Sequence, residues 1–176
     1  MNRREAAERI SLLLGGTLSV ELTAGLMGQV IHPGPNVAVS VAQQALLAEV
    51  ADVIIPTTDT PGAKAAGAEQ FIIRVMRDCY PLQEQEAFYA GLAKLEADSQ
   101  SAHGKAFADL ESNAKIQLVQ QTAEMNRAFF KRLKELTVTG YFTSEIGATR
   151  ALAYLPVPGR FAGDVPMEKG QKTWAL

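Results

Sequence analysis

Residues 40–56 read SVAQQALLAEVADVIIP, and this stretch decides the fold class. Ser40 and Gln43, three positions apart, form a capping box, in which each side chain satisfies the other residue's backbone N–H at a helix start. Leu46, Val50, Val53 and Ile54 follow at spacings of four and three, which puts them on one helical face. Pro56 disfavours helical backbone in the residue before it, so the helix ends at Ile55. The same period returns along the chain. Ile72, Val75, Met76 and Cys79 form a stripe ended by Tyr80-Pro81, and a third helix over 83–98 turns Phe88, Leu92 and Leu95 inward. Ser99 to Lys105 is polar, contains Gly104 and reads as a turn holding His103. A longer helix is expected over 112–137, with Ile116, Val119, Ala123, Phe130 and Leu133 buried and Gly140 as its C-terminal stop. Thr143 is expected to cap a short helix through Tyr154, with Glu145 in the first turn where the helix dipole favours an anion. No strand-like alternation occurs. The chain reads as all-α: one compact multi-helix domain, with a signal-like helix before it and an irregular tail after Pro156.

Composition agrees with one globular domain. The chain has 176 residues, 47% of them apolar and 20% charged. Those proportions argue against disorder, collagen-like repetition and a polytopic membrane protein. A formal charge of −2 offers no global attraction to nucleic acid. The basic-aromatic run from Arg127 to Lys134 reads as a solvated helix face, with Phe129 and Phe130 turned inward.

The first thirty residues differ from the rest. Arg3, Arg4 and Arg9 precede a mildly apolar, glycine-containing stretch over 10–27 in which Glu21 is the one charge. That is the layout of an export signal, and the adjacent Arg3-Arg4 pair points to the twin-arginine route, which carries folded cargo. The pair is preceded by Asn2 and followed by Ala6-Ala7-Glu8 rather than by the usual motif, and an ordinary amphipathic helix remains the alternative. Residues 1–29 are thus read as the export segment, 30–39, with Pro33, Gly34 and Pro35, as a linker, and 40–176 as the helical domain.

Catalytic chemistry is sparse. With Cys79 as its one cysteine and two histidines, His32 and His103, the chain has little to build a thiolate or histidine metal site from. No nucleophile elbow, dinucleotide fingerprint or phosphate loop occurs, so no catalytic, cofactor-binding or metal-ligating residue is assigned. Cys79 lies in an apolar stripe and is expected to pack as a small residue. In an exported protein it has a second reading, a disulfide to a partner chain.

Two stretches are more specific than packing requires. One runs DVIIPTTDTPGAKAAG over 52–67; the other runs GYFTSEIGAT over 140–149 and continues through YLPVPGRF over 154–161. With the Arg-Arg start, they resemble the gluconate 2-dehydrogenase subunit 3 family over nearly the whole chain. The resemblance implies a non-catalytic small subunit of a periplasmic flavin-dependent sugar or sugar-acid dehydrogenase. Its partner would be a large glucose–methanol–choline-type subunit holding FAD, with a cytochrome c subunit carrying haem often taking the electrons, and the small subunit would supply the export signal for both. Membrane association would then arise only through the complex or an uncleaved N-terminus. A cytoplasmic helical adaptor without an export role is the competing reading.

The residue types agree with a contact role. Loops stiffened by proline lose little entropy on docking, and aromatics anchor interfaces. Pro56, Thr57, Thr58, Asp59, Thr60, Pro61, Tyr141, Phe142, Thr143, Tyr154, Pro158, Arg160 and Phe161 are therefore the candidate partner-facing residues, with intrachain packing as their alternative. Of the adjacent aromatics Tyr141 and Phe142, at least one is expected to face outward.

Overall fold

Ser40 opens the first helix through the expected reciprocal pair. Its hydroxyl accepts from the Gln43 N–H at 3.2 Å, and the Gln43 side-chain oxygen accepts from the Ser40 N–H at 2.9 Å. The structure, a computed structural model, describes residues 35–153, 159, 166 and 169–173. The readings made for residues 1–29, Arg3, Arg4 and His32 lie outside the described residues, as do those for Tyr154, Pro158, Arg160 and Phe161.

Five α-helices are described: α1 Val41–Ile54, α2 Ala68–Cys79, α3 Leu82–His103, α4 Ser112–Met125 and α5 Arg127–Phe142. Among the described residues there is no strand, only a single backbone bridge from Ala153 to Thr173. The fold is all-α. Helix α1 is central and touches each of the other four. It therefore buries a wider face than its spacing suggested: Leu47, Ala48, Val50 and Ala51 are buried, while Leu46, Val53 and Ile54 pack at the margins of the core. Ile72 and Met76 of α2, Leu92 and Leu95 of α3, Phe107 of the 3-10 turn Phe107–Asp109 and Leu133 of α5 complete the main core, where Phe88 packs against the Tyr89 and Phe129 rings at centroid distances of 5.3 Å. No helix of the described residues is long and apolar enough to cross a membrane.

Several sequence expectations are corrected. Cys79 is exposed rather than packed, because the stripe reaches it at the last residue of α2, past the edge of the core. Helix α3 continues through His103 instead of stopping at Asp98. Ser99 is fully buried and its hydroxyl donates to the Lys105 carbonyl at 2.9 Å, and Gly104, with φ +66°, ends the helix in the left-handed region that glycine adopts without strain. His103 accordingly sits in the last helical turn.

The single helix expected over 112–137 is two. Asn126 leaves helical backbone at φ −130° and ψ 65°, and its side chain caps α5 by accepting from the Phe129 N–H at 3.4 Å. The break rotates α4 relative to α5, so Ile116 is 44% exposed while Leu118, Val119 and Thr122 face inward. Gly140 does not stop α5; it lies inside the helix beneath the Phe71 ring, where a Cβ would come within 2.8 Å of Phe71 Cδ1. The absence of a side chain at Gly140 lets Phe71 of α2 pack directly on the α5 backbone.

Thr143 closes α5 rather than opening the next element, its hydroxyl donating to the Thr139 carbonyl at 2.7 Å. The following segment is capped one residue later. Ser144 donates to the Tyr141 carbonyl at 2.6 Å and accepts from the Gly147 N–H at 3.0 Å, leading into a π-helical turn, Gly147–Ala151, in place of the expected helix through Tyr154.

Candidate docking groove

The segment after α1 folds into a closed hook. The Ala63 N–H donates to the Ile55 carbonyl at 2.8 Å, the Gly62 N–H to the Thr57 hydroxyl at 2.9 Å, and the Thr58 N–H to the Thr60 carbonyl at 3.0 Å. Lys64 N–H reaches the Asp52 carboxylate at 3.3 Å. Gly62 is the tightest point: a Cβ there would meet Asp52 Oδ1 at 2.5 Å, Thr57 N at 2.7 Å and Ile55 O at 2.8 Å. Only a residue without a side chain closes this turn, so Pro61-Gly62-Ala63 is needed for the shape itself. Ala63 is fully buried and packs with Ala51, Ala68 and Tyr141 in a small second core.

The far end of α5 meets that hook. Tyr141 is 2% exposed, and its hydroxyl donates to the Pro61 carbonyl at 2.8 Å with the Thr60 hydroxyl at 3.4 Å. Phe142 stands edge-on to the Tyr141 ring, with centroids 5.1 Å apart and planes at 81°, and remains 38% exposed. Of the two adjacent aromatics, then, one is core and one faces solvent. Gly147 has no room for a Cβ because the Tyr141 carbonyl occupies the position, which seats the π-helical turn tightly against the end of α5.

Between hook and turn lies a groove of about 1110 Å³. Pro56, Thr58, Thr60, Tyr141, Phe142 and Thr143 line it, joined by Ile54, Ile55, Ala148, Ala151 and Leu152 and by the segment Gln171, Lys172 and Thr173. Thr57 works inside the hook as an acceptor, Pro61 supplies the carbonyl that Tyr141 grips, and Asp59 is exposed at the tip. Cys79 is not among the lining residues. Ala148, Ala151 and Leu152 lie within the segment 140–161, which with the 56–63 loop was expected to face a partner, whereas the contributions of Ile54, Ile55 and residues 171–173 were not expected from the sequence. Ala148 fell within the 140–149 string, but reading Thr143 as a cap hid the turn that presents it.

Charge is arranged around this groove rather than in its floor. The Thr58 hydroxyl, donating to Asp59 at 2.8 Å, holds that carboxyl below the usual carboxylate range, helped by the Asp59 and Thr60 backbone and by the Lys172 charge. Lys172 itself donates to the Arg150 carbonyl. Behind the hook, Glu49 accepts from Lys115 at 2.7 Å and from Lys64 at 2.5 Å, tying α1 to α4 and to the hook's outgoing strand of chain. Among the described residues no group of three or more His, Cys, Asp or Glu is placed to hold a metal ion. What the groove presents is apolar surface rimmed by threonine hydroxyls, with an aromatic edge and an anionic tip, the composition of a protein-contact surface.

Residues 41–159 match the model of a protein family described as gluconate 2-dehydrogenase subunit 3. No curated protein and no solved structure matches the chain.

Proposed function

We propose a function that starts from kinship: the chain belongs to the gluconate 2-dehydrogenase subunit 3 family, and it serves as the non-catalytic small subunit of a sugar or sugar-acid dehydrogenase. In this reading it binds and stabilises a large FAD-containing subunit of the glucose–methanol–choline type, with a haem-bearing cytochrome c subunit as electron acceptor. Arg3 and Arg4 act as the twin-arginine signal that takes the folded pair to the periplasm.

The observation that carries the docking role is convergence. The two strings that stood out in the sequence, 52–67 and 140–149, lie eighty positions apart and yet form facing lips of one groove, joined by the Tyr141–Pro61 bond. A hook fixed by Gly62 and prolines, an exposed Phe142 and a rim of hydroxyls suit a preorganised partner surface. The test is co-expression with a candidate FAD-containing large subunit of the glucose–methanol–choline type. Affinity purification of the tagged small chain should bring down a yellow, FAD-containing large chain in constant proportion. Recovery of the small chain alone, with the flavoprotein folded and active in the flow-through, would refute the assignment.

A further inference from the structure

The carboxylates around the hook divide into two kinds. Glu49 and Asp52 are turned to internal use: Glu49 accepts from Lys115 and Lys64, and Asp52 accepts from the Lys64 N–H. Asp59 is turned outward. It is exposed at the tip between Thr58 and Thr60, both of which line the groove, and among the described residues it forms no ion pair. Its position is nonetheless fixed. The carboxylate accepts from the Thr58 hydroxyl at 2.8 Å, and the Thr58 N–H donates to the Thr60 carbonyl at 3.0 Å, closing the tip on itself. The Thr58 hydroxyl, the loop's own N–H groups and the Lys172 charge hold the carboxyl below the usual carboxylate range, so at neutral pH it is ionised. Lys172 acts at longer range, because its ammonium donates to the Arg150 carbonyl.

We propose, building on the docking role above, that the groove takes a segment of the large subunit that seats an apolar side chain against Ile55, Phe142 and Leu152 and sets an arginine or lysine against Asp59. Charge complementarity selects this occupant. A wholly apolar segment would fill the floor but would strip water from a fixed anion at the groove's mouth and give it no partner, which is costly. An acidic segment would be repelled. A cationic side chain replaces the lost water, and a carboxylate already held by Thr58 gives up little freedom in accepting it. The same charges set a direction. Asp59 stands on the hook lip, whereas Lys172 belongs to the wall made by residues 171–173. A segment with its positive end at the hook is therefore favoured over the same segment reversed.

The experiment follows binding of the full-length parent chain, Asp59→Asn and Asp59→Lys to the same candidate FAD-containing large subunit, by biolayer interferometry at low and high salt. Asparagine keeps an oxygen for the Thr58 hydroxyl, so the hook retains its shape while its charge is lost. A charge at the rim of an interface acts chiefly on the association rate and is screened by salt. The expected result is an association rate about threefold lower for Asp59→Asn and about tenfold lower for Asp59→Lys at ~0.05 M salt, with both gaps closing to within about twofold at ~0.5 M. Equal rates for all three chains at low salt, with the parent binding, overturn the cationic contact and leave the docking role standing. So does a deficit of the same size at both salts, since shape rather than charge then carries it. A parent chain that does not bind at all refutes the docking role, and this contact with it.

Discussion

The Tyr141 hydroxyl donates to the Pro61 carbonyl oxygen at 2.8 Å, joining the end of α5 to the hook that follows α1. The bond is local in space and remote in sequence, and it sets the spacing of the groove's two lips. Tyr141→Phe keeps the ring and loses the bond, so its unfolding free energy should fall by about 1 kcal/mol. Tyr141→Ala also empties the second core and should cost about 3–5 kcal/mol. Urea titrations followed by circular dichroism distinguish the two, and a Tyr141→Phe chain as stable as the parent would show that the bond carries no stability.

Phe142 makes the opposite case, since it is partly exposed and lines the groove. Phe142→Ala should leave helical content intact, cost the isolated chain roughly 1 kcal/mol through its lost edge-on contact with Tyr141, and weaken capture of the large subunit about thirty-fold, the scale of an interface anchor worth about 2 kcal/mol. Undiminished capture would remove Phe142 from the interface.

Gly140→Ala puts two effects in opposition. Alanine ordinarily favours a helix over glycine by about 1 kcal/mol. Here its methyl would press on the Phe71 ring, and overpacking of this kind costs about 1–3 kcal/mol. The net should be destabilising by about 1 kcal/mol in chemical denaturation, and Phe71→Leu in the same chain should recover part of the loss. A Gly140→Ala variant more stable than the parent would mean that the ring simply moves aside.

Glu49 supplies the pH dependence. Lys115 chiefly, then Lys64, hold its carboxyl below the ordinary value of 4.5. A group whose folded pKa is depressed contributes fully above its unfolded value and loses that contribution as pH falls through the folded one. Glu49→Gln should therefore cost about 1 kcal/mol at neutral pH, a charge-assisted pair discounted for its partial exposure. The gap between variant and parent should narrow as pH drops below 4.5. A gap of constant size would assign the effect to packing rather than charge.

Arg3→Lys combined with Arg4→Lys tests export. If the pair is a twin-arginine signal that serves both subunits, this chain and its large partner should accumulate together in the cytoplasm. Fractionation that still finds full dehydrogenase activity in the periplasm would refute the shared signal.

What was legible in the sequence was whatever depended on near neighbours. Ser40 and Gln43 announce a helix start because both partners of the capping box lie within one turn, and Pro56 ends that helix by its own geometry. Asn126 was not legible as a break. Neither glycine nor proline flanks it, and apolar residues continue on both sides at spacings that also suit one helix. Gly140 was legible as special but not as what it is, because a glycine that ends a helix and a glycine that admits Phe71 look identical until the ring's position is known. The groove divides the same way. The strings around Pro61 and Tyr141 stood out individually, but nothing in either string names the other, and the wall made by residues 171–173 depends on a bridge to Ala153.

The Tyr141–Pro61 bond also places the groove in time. Closing a loop of eighty residues costs about 4 kcal/mol of chain entropy before any contact offsets it. The cost is smaller once α2 to α5 have assembled and shortened that loop, so the grip on the hook is expected to follow their assembly. On that cost the two lips are expected to come into register late in folding and to part early in unfolding. A nascent or partly unravelled copy carries both strings but not the surface they make together. If the proposed partner docks across both lips at once, it would engage finished chains and pass over unfinished ones.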